Sequence, residues 1–189
     1  MSLTRWNVLD ARDIEQTRWR IDPIRSRVEF QTPNVWGLSK VKGHFERYAG
    51  SLDLSAEPAI ELTIETASLD TKNKWRDKHL VSPDFFDADN HPHVHFVSES
   101  ATLRAGRLKV HGTLLASDRT VSLDIDGEML QDDHGLIVDA AAEIDQRQLG
   151  MTWSPLGMVR TPSLLTVHAR LVPDVRHPHR TSDMHLSGL

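Results

Sequence analysis

The sequence contains no cysteine. Without thiols the chain cannot form disulfides, use a cysteine nucleophile or build a thiolate metal site. It also has no excess of basic residues, because 22 Lys and Arg stand against 27 Asp and Glu, for a net charge of −5. A protein that tracks a phosphate backbone needs a basic patch, so we expect no nucleic-acid partner.

Common catalytic and targeting signals are missing as well. The sequence holds no Gly-x-Ser-x-Gly, His-Glu-x-x-His or glycine-rich phosphate loop. Charged residues such as Arg5, Asp10 and Arg12 interrupt any apolar run in the first 17 residues, unlike a signal peptide or a membrane anchor. We therefore expect a cytoplasmic protein.

Most of the chain alternates between apolar and polar residues. This period of two is typical of strands with one buried and one solvated face. The apolar positions recur in Val28 and Phe30, Val41 to Phe45, Leu52 and Leu54, Ile60 to Ile64, Val94 and Phe96, Leu108 to Leu114, Val121 to Ile125, Leu136 to Ile144, and Leu165 to Leu171.

Turn residues separate these runs and indicate an antiparallel meander. We predict turns at Ala49-Gly50, Glu57-Pro58, Ala105-Gly106, Asp118-Arg119 and Asp133 to Gly135. About eight long strands without intervening helices predict an all-β fold, either a closed barrel or a sandwich, and an eight-stranded barrel can hold a small ligand. The expected organisation is an N-terminal extension over residues 1–17, a barrel domain over 18–173 and a polar, flexible tail over 174–189.

One stretch breaks the strand pattern. The side chains from Lys74 to Val81 favour a short helix, with Thr71 or Asn73 as its N-cap and Pro83 ending it.

Aromatic residues crowd this helical stretch. Trp75, Phe85 and Phe86 each carry a large apolar ring, so all three are expected to be buried against the strands.

The same stretch carries a specific resemblance to a known family. The positions that match are Ser68, Leu69, Thr71, Arg76-Asp77, His79-Leu80, Ser82, Asp84 to Asp87, Pro92 and Phe96. Upstream support comes from Trp19 to Pro23 and from Val41-Lys42-Gly43, and downstream support from Gly112-Thr113-Leu114 and Ile144-Asp145. From Trp19 to Val172 the chain resembles the YceI-like polyisoprenoid-binding proteins.

The resemblance implies an eight-stranded antiparallel, lipocalin-like β-barrel with the helical segment near its mouth. Its apolar lumen would take up a polyisoprenoid or an isoprenoid-quinone-like lipid for transport or storage, without covalent chemistry and without a cofactor. A homodimer is possible in such a protein. Where the family usually has an Arg and a Phe after the Ile-Asp pair, this chain has Gln146 and Leu149, a departure that bears on the head-group end of a ligand.

The ligand-contacting residues are predicted from the inward-facing apolar positions and the helical segment. They are Phe30, Trp36, Phe45, Leu54, Leu62, Ile64, Trp75, His79, Leu80, Phe85, Phe86, Phe96, Leu114 and Trp153.

Two other functions compete with lipid binding. Asp77 and His79 could serve an enzyme acting on an apolar substrate, but residues two apart on a helix point in different directions, which favours a role in pinning the helix.

The second alternative is a His-rich metal-binding protein. Alternate strand residues share a face, so His91, His93 and His95 could offer imidazoles to one ion. His93 and His95 are opposite in parity to Val94 and Phe96 and should face solvent, so we predict no metal site.

Overall fold

The computed structural model describes residues 7–8, 14, 17–33, 40–150 and 162–175, and for residues 7–8 the backbone alone. These residues form twelve strands and one α-helix. The strands are β1 (Asn7–Val8), β2 (Arg18–Ile21), β3 (Arg27–Pro33), β4 (Lys40–Phe45), β5 (Tyr48–Asp53), β6 (Ala59–Glu65), β7 (Leu69–Asp70), β8 (His93–Arg104), β9 (Arg107–Ala116), β10 (Arg119–Asp132), β11 (Gly135–Ile144) and β12 (Ser163–Pro173), and the helix is α1 (Lys74–Leu80).

The strands close into a barrel. β2 and β3 both pair with β12 and act as two halves of one bent strand, while β4 and β5 pair with β3 and β2 as a second bent strand. The ring then runs through β6, β8, β9, β10 and β11 back to β12, with antiparallel pairing throughout. These pairs close the ring, and on its outer side β4 pairs only with β7, at His44 and Phe45. The predicted eight-stranded antiparallel barrel is confirmed.

The alternation decides which side chains point inward. In β8, Val94 and Phe96 are buried while His93 and His95 are exposed. The same pattern in the other strands fills the interior with aliphatic side chains, and Val28, Met129 and Leu136 are wholly shielded from solvent.

The glycine at position 50 corrects one predicted turn. Ala49-Gly50 lies inside β5, where a Cβ at Gly50 would come within 2.6 Å of Ile21 Cδ1. The glycine is therefore needed for close packing rather than for a turn.

The hairpin at the start of β10 uses residues with positive φ. Ser117 and Asp118 have φ of 48° and 59°, as in the tight two-residue turns that suit the twist of antiparallel strands. The turn is one residue earlier than the predicted Asp118-Arg119.

The register brings three strand connections to one end of the barrel, which we call the mouth. The facing pairs there are Pro33 and Lys40, Ala116 and Arg119, and Ile144 and Ser163. The opposite end is marked by the pair Arg18 and Asp53. In the described part of the chain, no helix is long and apolar enough to cross a membrane.

The extension before residue 18 contacts the barrel. β1 pairs with β10, Asn7 opposite Gln131 and Val8 opposite Leu130, and Ile14 is buried in the core.

Candidate functional site

The helix lies where the sequence places it. Asn73 is the N-cap, and its Oδ1 accepts a hydrogen bond of 3.1 Å from the backbone N–H of Arg76. The helix ends at Leu80, and the following turn continues through Pro83 to Phe86. We call residues 73–86 the lid.

Two charged lid residues are tied to Thr71, which is buried. Asp77 Oδ1 accepts hydrogen bonds from the Thr71 N–H, at 2.9 Å, and from the Thr71 hydroxyl. Arg76 donates from Nε to Thr71 Oγ1 and from Nη2 to Thr71 O, each at 2.8 Å. The contacts agree with the expected pinning role. The His79 ring instead stacks on Trp75 and meets Phe85 edge-on, with ring centroids 5.9 and 5.0 Å away.

A cavity of about 360 Å³ lies beneath the lid. Its size falls in the range of about 300 to 1,000 Å³ that is typical of small-molecule sites. Of the predicted ligand-contacting residues, those lining it are Phe30, Phe45, Ile64, Trp75, His79, Leu80, Phe85, Phe86 and Leu114.

A second, smaller cavity of about 90 Å³ lies deeper in the barrel. Leu62 and Phe96 line this one instead of the larger cavity, and Leu165 borders both. The lumen is therefore divided into an upper cavity under the lid and a lower cavity in the core.

The remaining predicted residues lie elsewhere. Leu54 is buried but lines neither cavity, because it follows Asp53 at the end of the barrel opposite the mouth. Trp36 and Trp153 fall outside the described residues.

Trp75 corrects the expectation that all three lid aromatics are buried. Its side chain borders the upper cavity, yet 76% of its surface is exposed, since its ring contact is with His79 on the same helix face. Phe85 and Phe86 are half-buried and pack against the core.

Three polar side chains meet at the mouth of the upper cavity, and we call them the polar rim. Gln146 Nε2 donates to Thr32 Oγ1 at 3.1 Å and to Ser163 Oγ at 2.5 Å. The two hydroxyl oxygens lie 2.9 Å apart and share a hydrogen bond. All three side chains line the cavity, and they come from β3, β12 and the turn after β11.

Charges flank the polar rim but neutralise each other. Arg147 donates from Nη2 to Asp145 Oδ2 at 2.5 Å, and this hydrogen bond holds the pKa of the Asp145 carboxyl below its usual range. The ion pair is partly exposed to solvent, and the three side chains of the rim are themselves uncharged.

The sequence matches the model of a known family, described as the YceI-like domain, over residues 19–171. The chain belongs to the YceI-like family. The match runs from β2 into β12 and so covers nearly the whole barrel, which confirms the resemblance seen in the sequence.

Relatives of this YceI-like chain include curated and solved proteins. A UPF0312 protein of Staphylococcus aureus (strain MRSA252) is 32% identical over 117 residues, which cover 59% of this chain and 67% of that protein. BcnA of Burkholderia cenocepacia superposes with a TM-score of 0.72 at 18% identity, covering 79% of this chain and 98% of BcnA. A polyisoprenoid-binding domain from Saccharophagus degradans, implicated in plant cell wall breakdown, gives 0.67 at 12% identity, covering 82% and 98%. The structural likenesses establish a shared fold.

Sequence reasoning missed part of the lining of this YceI-like cavity. Val41, Val94, Ile144 and Leu165 are apolar positions of the alternating runs, so a complete inward-facing set would have included them, whereas Leu149 lies in a turn outside those runs. The missed residues are Thr32, Val41, Asn73, Arg76, Val94, Ala116, Ile144, Gln146, Leu149, Ser163 and Leu165.

The three histidines His91, His93 and His95 do not converge on one point. His93 and His95 are exposed on the outer face, with ring centroids 5.6 Å apart. His91 turns away toward carboxylates, its Nε2 lying 3.8 Å from Asp87 and its Nδ1 3.4 Å from Asp118.

A different three-residue group has the spacing of metal ligands within the described residues. Ligand atoms of His44, Glu46 and Asp70 all lie within 4.8 Å of one another. Lys72 Nζ, however, lies 2.7 Å from Asp70 and lowers the pKa of that carboxyl through its hydrogen bond. An ammonium group this close repels a cation, so we assign no metal to the group.

Proposed function

We propose that this YceI-like protein binds a long-chain amphiphilic lipid, a polyisoprenoid or an isoprenoid-quinone-like lipid, in the upper cavity and transports or stores it without covalent chemistry. The observation that carries the proposal is an apolar cavity under an aromatic lid at the mouth of a closed barrel. The binding of polyisoprenoid by the Saccharophagus degradans domain of the same fold supports it.

The walls of the upper cavity suit a hydrocarbon chain. Phe30 and Phe45 meet with ring centroids 5.7 Å apart, and Phe86 meets Phe45 edge-on at 6.3 Å. Burial of an apolar chain against such walls contributes roughly 25 cal/mol per Å² before ordering costs are subtracted. Affinity would then come from burial, and the lid would limit exchange.

The lid is built to open more easily than the barrel. No residue of α1 is fully buried, whereas the strands around it contribute the core. Segments with few buried apolar contacts open locally at a lower free energy than the whole fold. A carrier needs such a segment, because the ligand must enter the interior of a closed barrel.

Two neighbouring leucines of β9 provide the test. Leu114 is 4% exposed and lines the upper cavity, while Leu115 is 43% exposed and faces outward. Leu114→Trp should fill the cavity and weaken binding of a polyprenol by at least tenfold, and Leu115→Trp should bind like the wild type. Uptake is measured on delipidated protein by tryptophan quenching and native mass spectrometry.

Folding of the variants is checked by circular dichroism and thermal unfolding. If Leu114→Trp does not fold, Ala116→Leu, which fills the same cavity from the same strand, replaces it. A folded wild-type protein that takes up no polyprenol would sink the proposal, and so would a folded cavity-filling variant that binds as well as the wild type.

A further inference from the structure

The polar rim has hydrogen-bonding capacity that its internal bonds do not use. The Gln146 amide nitrogen carries two N–H donors, and the two hydroxyl oxygens of Thr32 and Ser163 accept both. The hydroxyls use one of their two hydrogens in the bond between them. One hydroxyl hydrogen and the Gln146 carbonyl oxygen therefore remain outside these three bonds.

Two polar side chains of the lid that line the same cavity, Asn73 and Arg76, are already engaged in hydrogen bonds. Asn73 caps α1 through its carbonyl oxygen. Arg76 donates to the Thr71 hydroxyl, and that hydroxyl donates to Asp77. The guanidinium and the carboxylate are therefore linked through one hydroxyl, and their charges balance. The lid therefore presents no unbalanced cation to the upper cavity through these residues.

From these observations we propose that Thr32, Gln146 and Ser163 form the head-group site of the bound lipid and select an uncharged oxygen, a hydroxyl or a carbonyl, over a phosphate. The inference rests on the function proposed above. Among the described residues, one donor and one acceptor of the rim remain outside these bonds. They match an alcohol, which both donates and accepts, or a quinone carbonyl, which accepts. A phosphate monoester carries about two negative charges at neutral pH and would be desolvated beside three neutral groups, which costs free energy.

The position of the rim agrees with a head group. Thr32 and Ser163 lie where β3 ends and β12 begins, at the mouth, while the lower cavity lies deeper toward the opposite end. An amphiphile whose oxygen stays at the rim would point its chain past Leu165 toward the core. The polar and apolar parts of the ligand would each meet matching walls.

The test compares three probes of equal chain length: a polyprenol, its phosphate monoester and the corresponding isoprenoid hydrocarbon. Gln146→Leu removes both the amide donors and the acceptor, and Gln148→Leu, at an exposed position of the same turn, is the matched control. A neutral hydrogen bond contributes about 1 kcal/mol, which corresponds to about fivefold in affinity. Gln146→Leu should weaken polyprenol binding about fivefold and leave hydrocarbon binding unchanged, and the wild type should bind the phosphate more weakly than the alcohol.

The outcomes separate this inference from the proposed function. Binding of none of the three probes by the wild type rejects lipid binding itself. Binding of all three with equal affinity, unchanged in Gln146→Leu, keeps lipid binding and overturns the head-group site, as does tighter binding of the phosphate. If Gln146→Leu does not fold, Thr32→Val, which keeps the shape of the side chain and removes its hydroxyl, is subject to the same comparison.

Discussion

The carboxylate of Asp77 accepts hydrogen bonds from both the backbone N–H and the hydroxyl of Thr71. Thr71 directly follows β7, so the bond pair fixes the first turn of α1 to the barrel wall. The nearness of Asp77 to His79 in sequence suggested an acid-base pair, but the structure gives the carboxylate a structural partner.

Loss of this anchor should loosen the lid. Hydrogen bonds to a charged group contribute about 1.5 to 3 kcal/mol, so Asp77→Ala should raise amide hydrogen exchange in α1 at least tenfold and speed ligand release. Asp84→Ala changes an exposed carboxylate on the same lid and serves as the control. Equal exchange rates in Asp77→Ala and the wild type would contradict the anchor.

A side chain at position 43 should collide with the cavity wall. A Cβ on Gly43 would collide with the Phe30 ring, 2.5 Å from its Cε1, and would lie 2.8 Å from Thr71 Cγ2. Gly43→Ala should lower the free energy of unfolding by about 1 to 3 kcal/mol through overpacking, as measured by chemical denaturation. The double variant with Phe30→Leu should recover part of the loss, whereas additive effects of the two changes would show that the ring is not the obstacle.

The side chain that separates the two cavities should set the length of the isoprenoid that the protein accepts. Leu165 borders both cavities, so Leu165→Ala should join them and shift the preferred ligand to a longer isoprenoid. The stability cost should be about 2 kcal/mol, the low end of the range for buried leucines, because Leu165 is only partly buried. Native mass spectrometry with a mixture of polyprenols gives the chain-length profile, and Leu164→Ala, on the outer face, should leave it unchanged. An unaltered profile in a folded Leu165→Ala protein would reject the role.

The ion pair between Asp132 and Arg170 should make the free energy of unfolding depend on pH in the acidic range. Arg170 Nη1 lies 2.6 Å from Asp132 Oδ1, the side chains are 11% exposed for Asp132 and 17% for Arg170, and the bond lowers the pKa of the carboxyl. A lowered pKa in the folded state means that the stabilisation is present above the ordinary value of about 4 and is lost as the pH falls through the lowered one.

Asp132→Asn measures this contribution directly. Near pH 7 the variant should be about 1.5 to 3 kcal/mol less stable than the wild type, and the difference should shrink as the pH falls below about 4. The solvated pair of Asp126 and Lys109 provides the control, since Asp126→Asn should change little. A stability difference that persists unchanged into acid would argue against the ion pair as its source.

Much of the barrel could be predicted from the sequence because its signal is local. The period of two around Val94 and Phe96 and the capping residue Asn73 depend on neighbours within a few positions. Gly50 was misread because a glycine required for packing against Ile21 looks the same in sequence as one required for a turn.

The site was harder to predict because it depends on side chains that meet across the barrel. Thr32, Gln146 and Ser163 are polar residues at strand ends, which in sequence look like surface, and the chain separates the first from the last by 131 positions. The division of the lumen at Leu165 depends on summed side-chain volumes that no single strand reveals. Helix periodicity likewise did not show that Trp75 would remain exposed.

The lid is fastened at two points. At the start of the lid, Thr71 is bonded to Asp77. Near the end of the lid, the Ser117 hydroxyl donates to the Phe86 carbonyl at 3.1 Å, which ties the lid to the turn before β10. A segment held at both ends can rotate about the axis through its two fixed points, but it cannot open as a segment hinged at one end would. In the proposed lipid exchange, a ligand would then pass sideways under α1 while both anchors hold, and rotation of this one helix would set the width of the entrance.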